Sequence, residues 1–334
     1  LEGAFLGRCA GCTLGAVVEN WPVQRMAEWA AAIGDPFPPV DYWSDVTEPR
    51  RLRYGVSRRE AYARPNLDGV PVDDDVTYTL LGLLILEEFG PEFTPEDVGR
   101  AWLACLPMAC TAEKVALENL RQGVPAAEAG AIDNPYCEWI GADIRADPWG
   151  YVTPARPEKA AELAWRDAFL SHRRNGIYGA MFFAAAISAA FVVDDPVEAL
   201  EIGLTEIPAE CRLARAVRWA LDIAPRITDY RSAREAVDRE FAGMHGVHTI
   251  NNACLTVWGL TIGRRDFTKV ISETVAMGLD NDCTAATAGS LCGAVVGASG
   301  VPSHWTAPFN GRVLTYMNGH PEFAVDDVVR RFAA

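Results

Sequence analysis

Three consecutive aspartates, Asp73, Asp74 and Asp75, stand just before an apolar run, LLGLLILEEF. An aspartate at a helix N-terminus takes up free backbone amides and complements the helix dipole, but one is enough for that. Three adjacent like charges repel, and successive side chains leave a helix about 100° apart, so capping explains the cluster poorly. A divalent cation resolves the repulsion, because hard carboxylate oxygens hold Mg2+ and its relatives. A second carboxylate pair lies in Gly278-Leu279-Asp280-Asn281-Asp282-Cys283-Thr284 and leads into a small-residue run, AATAGSLCGAVVGA. An Asp-x-Asp on an extended lead-in can aim both carboxylates at one point. Either cluster alone also reads as capping. Two of them, in an acidic and lysine-poor chain, point to one shared metal site.

Other chemistry-bearing residues carry less. Cys9-x-x-Cys12 has no second Cys/His pair at zinc spacing and reads as two small residues on a packed helix. Ser171-His172-Arg173 falls at an expected helix end, where His172 is either a packed residue or a substrate contact. His245, His248, His304 and His320 lack acidic or thiol partners at ligand spacing and read as structural. Gly11-x-x-x-Gly15 and Gly289-x-x-x-Gly293 are packing signals, since no Gly-Lys-Ser/Thr follows to make a phosphate loop, and no Gly-x-Ser-x-Gly elbow occurs.

The elements that must position these residues are helices. Apolar residues recur at three- and four-residue spacing, which predicts helices over 1–18, 76–89, 95–106, 111–122, 157–172, 176–193, 196–206, 208–222, 231–243, 248–263, 266–278 and 283–297. Thr94-Pro95 and Asp195-Pro196 each set a capping residue before a first-turn proline. Alternating strand patterns are scarce, so the expected fold is all-α: one compact multi-helix orthogonal bundle with a central metal-binding cleft. Residues 35–72 interrupt it with six prolines and the basic cluster Arg50-Arg51-Leu52-Arg53, and are expected to form an insertion or lid. A second irregular stretch, 134–157, carries Trp139, Trp149 and Tyr151 and is a further candidate for a cleft wall.

Composition narrows the partners. Half of the 334 residues are hydrophobic, and 30 basic against 45 acidic side chains leave a net charge of −15, which repels a nucleic-acid backbone. The uncharged run from Ile177 to Val193 is 17 residues long and holds glycine and serine, too short and too small-residue-rich for a membrane span. The opening LEGAFLGRCAGCTLG shows neither a basic start nor a long apolar segment, so no secretory leader is expected. Nine cysteines, scattered mostly through apolar helical stretches, read as reduced thiols of a cytoplasmic protein.

Taken in order, the motifs resemble the ADP-ribosylglycohydrolase family, of which the chain would be a divergent member. The family's Gly-Asp-Ala-Leu-Gly-x-x-x-Glu is similar to Gly11 through Glu19, its Ser/Thr-Asp-Asp-Thr-x-Met to Asp73 through Tyr78, and its Asn-Gly-x-x-Met-Arg to Ile140 through Arg145. Its Thr-His resembles Ser171-His172, and its Gly-Gly-Asp-Thr-Asp-Thr-Asn-Ala-Ala resembles Gly278 through Ala286. The resemblance implies an all-α domain over 1–334 and a centre of two divalent cations, Mg2+ or Mn2+. Asp73, Asp74, Asp75, Asp280, Asp282 and Cys283 would form its ligand set, with Glu19, Asp75 and Asp282 catalytic. Gly141, Arg145 and His172 would face the substrate. Asp73 and Cys283 depart from the family's ligating Ser or Thr, Cys12 from its Asp, and Ile140 from its Asn. The implied reaction is hydrolysis of an N- or O-glycosidic bond to ribose, removing ADP-ribose from a protein or a small-molecule conjugate. Hydrolysis of a small riboside, or an inactive nucleotide-binding module, are the alternatives. An isoprenoid-synthase-like diphosphate site is a weaker one, since Asp74-Asp75-x-x-Tyr78 has no second acidic motif at the required spacing.

Overall fold

Helices form wherever apolar residues recur at helical spacing, and the computed structural model, which describes residues 1–334, is built of them with only two small antiparallel hairpins. All twelve expected helices are present with ends displaced by a few residues, among them Glu2–Ala16, Asp74–Phe89, Pro95–Cys105 and Asn281–Val296. Thr94 and Asp97 close a reciprocal capping box ahead of Pro95. The uncharged run becomes the buried helix Asn175–Ala190, and no helix is long and apolar enough to cross a membrane. A contiguous apolar core runs from Ala4 to Phe332 and contains Trp102, Trp149, Trp258 and Trp305.

The longer elements outside the periodicity reading are the helix Val23–Ile33, the hairpin Arg312–Met317 with His320–Ala324, and the helix Val325–Ala333. The hairpin had a signal, Asn318-Gly319 between two β-rich runs, which is a strong two-residue turn sequence. The expected insertion is not structureless either. It holds a short hairpin, Leu52–Arg53 against Ser57–Arg58, and two 3-10 turns. Tyr42, Trp43 and Tyr62 are buried. The Trp43 indole N–H donates to the Leu14 carbonyl at 3.0 Å, and Arg59 Nη2 donates to that of Val17 at 2.8 Å. These contacts lay the segment across the C-terminal end of the first helix.

The first helix and Asn281–Val296 lie backbone against backbone, which only glycine permits. A Cβ on Gly11 would stand 2.0 Å from the carbonyl oxygen of Ala285, and one on Gly15 would stand 2.4 Å from the Cα of Asp282. The approach runs antiparallel, so the end of one helix meets the aspartate-bearing start of the other. Because the obstacle is backbone, which cannot rotate away, Gly11→Ala is expected to destabilise by about 3 kcal/mol, read as a lowered midpoint in urea unfolding.

Candidate metal centre

Two helix N-termini bring the aspartates together. Asp73 is the N-cap of Asp74–Phe89, and its Oδ1 accepts from the Asp75 amide at 3.2 Å. Capping is therefore part of its work. Asp75, in the first turn, is fully buried, and Asp280 and Asp282 at the start of Asn281–Val296 are nearly so. The donor atoms fall into three close groups, each within 4.8 Å: Cys12, Asp73 and Asp75; Asp75, Asp282 and Cys283; and Glu19, Asp280 and Asp282. The clusters, separated by some two hundred residues, are thus one site, with Glu19 delivered to it by the end of the first helix.

Two arginines, neither expected at the site, hold much of this negative charge. Arg8 is fully buried and pairs with Asp147 at 2.7 Å and with Asp75 at 3.2 Å. It also donates to Thr79 Oγ1 at 2.7 Å and to the carbonyls of Asp75 at 2.8 Å and Ile144 at 2.5 Å. Arg53 reaches in from the insertion, with Nη1 at 2.7 Å from Glu19 and Nη2 at 2.9 Å from Asp73 and 2.6 Å from Asp282. Beside it the Tyr54 hydroxyl donates to Asp74 Oδ1 at 2.6 Å. Arg8 had a sequence signal, as the only basic residue of the first 24. Arg53 lay within a basic cluster whose partners nothing in the sequence named.

Burial dominates the electrostatics. It raises the carboxyls of Asp73, Asp75 and Asp280 well above the usual range, against the pull of Arg53 on Asp73 and of Arg8 on Asp75. Burial, with the nearby Asp282 charge, pushes Glu19 up to about 7. For Arg53 burial opposes the charge, yet Asp73, Glu19 and Asp282 outweigh it and keep the guanidinium ionised. Burial and the neighbouring aspartates also raise the Cys283 thiol, which donates to Asp75 Oδ2 at 3.2 Å.

Asp75, Asp282 and Cys283 form one close donor group apt for an ion, Asp280 joins Asp282 and Glu19 in the next, and Asp280 Oδ1 is buried without any hydrogen-bond partner. Protein groups compete for the carboxylates throughout: Arg53 ion-pairs with Asp73 and donates to Asp282, Tyr54 donates to Asp74, and Arg8 and the Cys283 thiol contact the two oxygens of Asp75.

Of the residues expected to face the substrate, Arg145 and His172 are buried and Gly141 is partly buried. Arg145 is buried, with Nε on Asp167 and Nη1 on Glu113 at 2.7 and 2.8 Å, and its guanidinium 5.0 Å from the Trp102 ring centroid. Gly141 packs where a Cβ would meet the Glu113 carboxylate at 2.2 Å. Both therefore serve an internal ion-pair network. His172 is fully buried, with Nδ1 at 2.8 Å from Ser171 Oγ, and burial lowers its imidazole well below the ordinary value, so it is neutral. Trp149 and Tyr151 likewise belong to the core, Trp149 stacking on Phe93 at 4.8 Å, and neither reaches the acidic cluster. What does stand at the rim is Trp139, partly exposed and stacked on exposed His245 at 4.3 Å and 15°. Asn252 ties this rim to the cluster, donating to the Gly246 carbonyl at 2.8 Å and accepting from the Asp280 amide at 3.2 Å. A cavity of about 980 Å3 between Leu83, Tyr151 and the C-terminal residues shares no lining residue with the cluster.

The comparisons with known proteins agree with this architecture. The family model described as ADP-ribosylglycohydrolase matches residues 1–332. Among solved structures, one titled "ADP-ribosylglycohydrolase-related protein complex" superposes with a TM-score of 0.61 at 23% identity, covering 91% of this chain and 89% of that one, which speaks to the fold alone. No curated protein matches the sequence. A family match reaching to within two residues of the end of a helical chain leaves no other assignment: this chain belongs to the ADP-ribosylglycohydrolase family of glycosidic hydrolases.

Proposed function

We propose that the chain is a metal-dependent glycohydrolase that cleaves an N- or O-glycosidic bond to ribose, removing ADP-ribose from a protein or small-molecule conjugate. The observation that carries this reading is the convergence of Asp75, Asp280, Asp282 and Cys283, from two helix starts, on a buried site with an unpartnered aspartate oxygen. These residues would hold a divalent cation, Mg2+ or Mn2+, and the softer sulfur of Cys283 favours Mn2+. When bound, the cation supplies a Lewis-acidic grip on sugar hydroxyls and acidifies water.

The protein's own groups do the rest. Glu19, with its carboxyl pushed up to about 7, can take or give a proton near neutrality as the glycosidic bond breaks through an oxocarbenium-like state. Asp282 orients Arg53, which in turn holds Glu19. The Trp139–His245 stack offers an aromatic face for a base or sugar ring, and His172 acts from beneath as a packed, neutral support. The whole chain serves this site as one domain with residues 35–72 as its cover, and nine free thiols accord with a cytoplasmic setting. Nucleic acid and membrane are not partners in this reading.

Incubation with ADP-ribosyl-arginine, ADP-ribosyl-serine and neutral ribosides, with Mn2+ or Mg2+, tests it. Release of free ADP-ribose from a conjugate is the expected result. Cleavage of the neutral ribosides alone would move the substrate to a small riboside, and binding of ADP-ribose without any cleavage would leave an inactive module.

A further inference from the structure

Two positive ions sharing a carboxylate cluster is what the family resemblance implies, yet one of the two places is already filled by the protein itself. Arg53 Nη2 forms an ion pair with Asp73 at 2.9 Å that is not aligned as a hydrogen bond, and it donates charge-assisted hydrogen bonds to Asp282 at 2.6 Å through Nη2 and to Glu19 at 2.7 Å through Nη1. Tyr54 occupies Asp74 Oδ1 at 2.6 Å. The side chain of Arg53 is only 11% exposed. It arrives on a hairpin pinned to the first helix through Trp43 and Arg59, so this is an anchored placement and not the tip of a free loop. Residual donors remain on the other side, where Asp280 Oδ1 has no partner and Asp75, Asp282 and Cys283 lie within 4.8 Å of one another.

We infer that Arg53 stands in place of one divalent cation, so that the centre holds a single metal ion at Asp75, Asp280, Asp282 and Cys283 and a guanidinium at Asp73, Glu19 and Asp282. The inference rests on the reading of the cluster as a cation centre, and it changes that centre's chemistry. A metal ion can exchange its ligands and hold two sugar oxygens at once. A guanidinium offers only N–H donors in a fixed plane, and its charge cannot be removed by a chelator. Coulomb repulsion between a guanidinium and a second divalent ion competing for the same oxygens keeps the two from coexisting.

Metal stoichiometry decides the matter without any substrate. Equilibrium dialysis against Mn2+, with metal counted by mass spectrometry, is expected to give one ion per wild-type chain, two per Arg53→Met chain, and none for Asp280→Asn. Asp74→Asn spares the proposed ligands, so it should still bind one. Two ions in the wild type would show that Arg53 yields its place, and none would show that no metal is held. A single ion in Arg53→Met, or none in Asp74→Asn, would equally overturn the assignment. Should Arg53→Met not fold, the wild-type, Asp74→Asn and Asp280→Asn counts still decide it. A chain that binds one Mn2+ but releases no ADP-ribose would overturn the glycohydrolase reading and leave this one standing.

Discussion

Asp282→Asn is expected to reduce hydrolysis of whichever conjugate the wild type cleaves by at least about 1000-fold, or ~4 kcal/mol of barrier at 1.36 kcal/mol per tenfold. Asp282 belongs to two of the three close donor groups and also accepts from Arg53 at 2.6 Å. Its amide counterpart keeps the shape but removes the charge, and half of its oxygens become N–H donors facing other donors. The same variant gives a second reading in thermal melts. In the wild type, Mn2+ at about 100 times its Kd should add about 2.7 kcal/mol, because binding occurs only in the folded state. In Asp282→Asn that increment should vanish. An undiminished rate in Asp282→Asn would dismiss the site.

Arg8→Met is expected to have the largest effect on the fold. No other residue contacts both Asp75 and Asp147 with a buried cation, and its donors also satisfy Thr79 and the carbonyls of Asp75 and Ile144. Methionine fills the space but leaves two buried carboxylates without a counter-charge, a cost of about 3–5 kcal/mol. With the unfolding entropy of a chain this long, that corresponds to a fall in Tm of roughly 4–8 °C. Arg8→Lys should recover only part of it, since an ammonium has three donors and no planar fork to span these acceptors. Adding Asp147→Leu to Arg8→Met should also restore part of the loss, by removing one of the stranded charges. Calorimetry of the three variants checks the order; an Arg8→Met protein as stable as the wild type would refute it.

The contrast between Asp75 and Arg8 shows what the sequence makes legible. Asp73, Asp74 and Asp75 are adjacent, so their mutual repulsion is visible without a fold, and the same holds for Asp280 and Asp282. Arg8 finds Asp147 at a separation of 139 residues, and Arg53 finds Asp282 at 229, distances over which periodicity carries no information. Arg145 shows the same limit from the other side. Its motif pointed to a ligand, while its actual partners, Glu113 and Asp167, come from helices whose relative placement only the tertiary packing sets. Helices were legible because burial repeats along them, whereas the final hairpin was masked by a short alternating run and betrayed only by Asn318-Gly319.

The glycine-lined seam between Glu2–Ala16 and Asn281–Val296 also governs which changes the chain can absorb. Along it the two backbones are keyed at Gly3 to Gly293, Gly7 to Gly289 and Gly11 to Ala285, a four-residue beat that counts residues as a vernier counts divisions. Deleting or inserting one residue between Gly3 and Gly15 would rotate everything beyond it by about 100° and put side chains where the beat demands none. In a library of random insertions and deletions, survivors should therefore be absent from these two helices and from the hairpin that seats Arg53, while exposed stretches of the cover outside that hairpin should accept changes of length. New specificity would then be acquired by re-cutting the cover over an unaltered key.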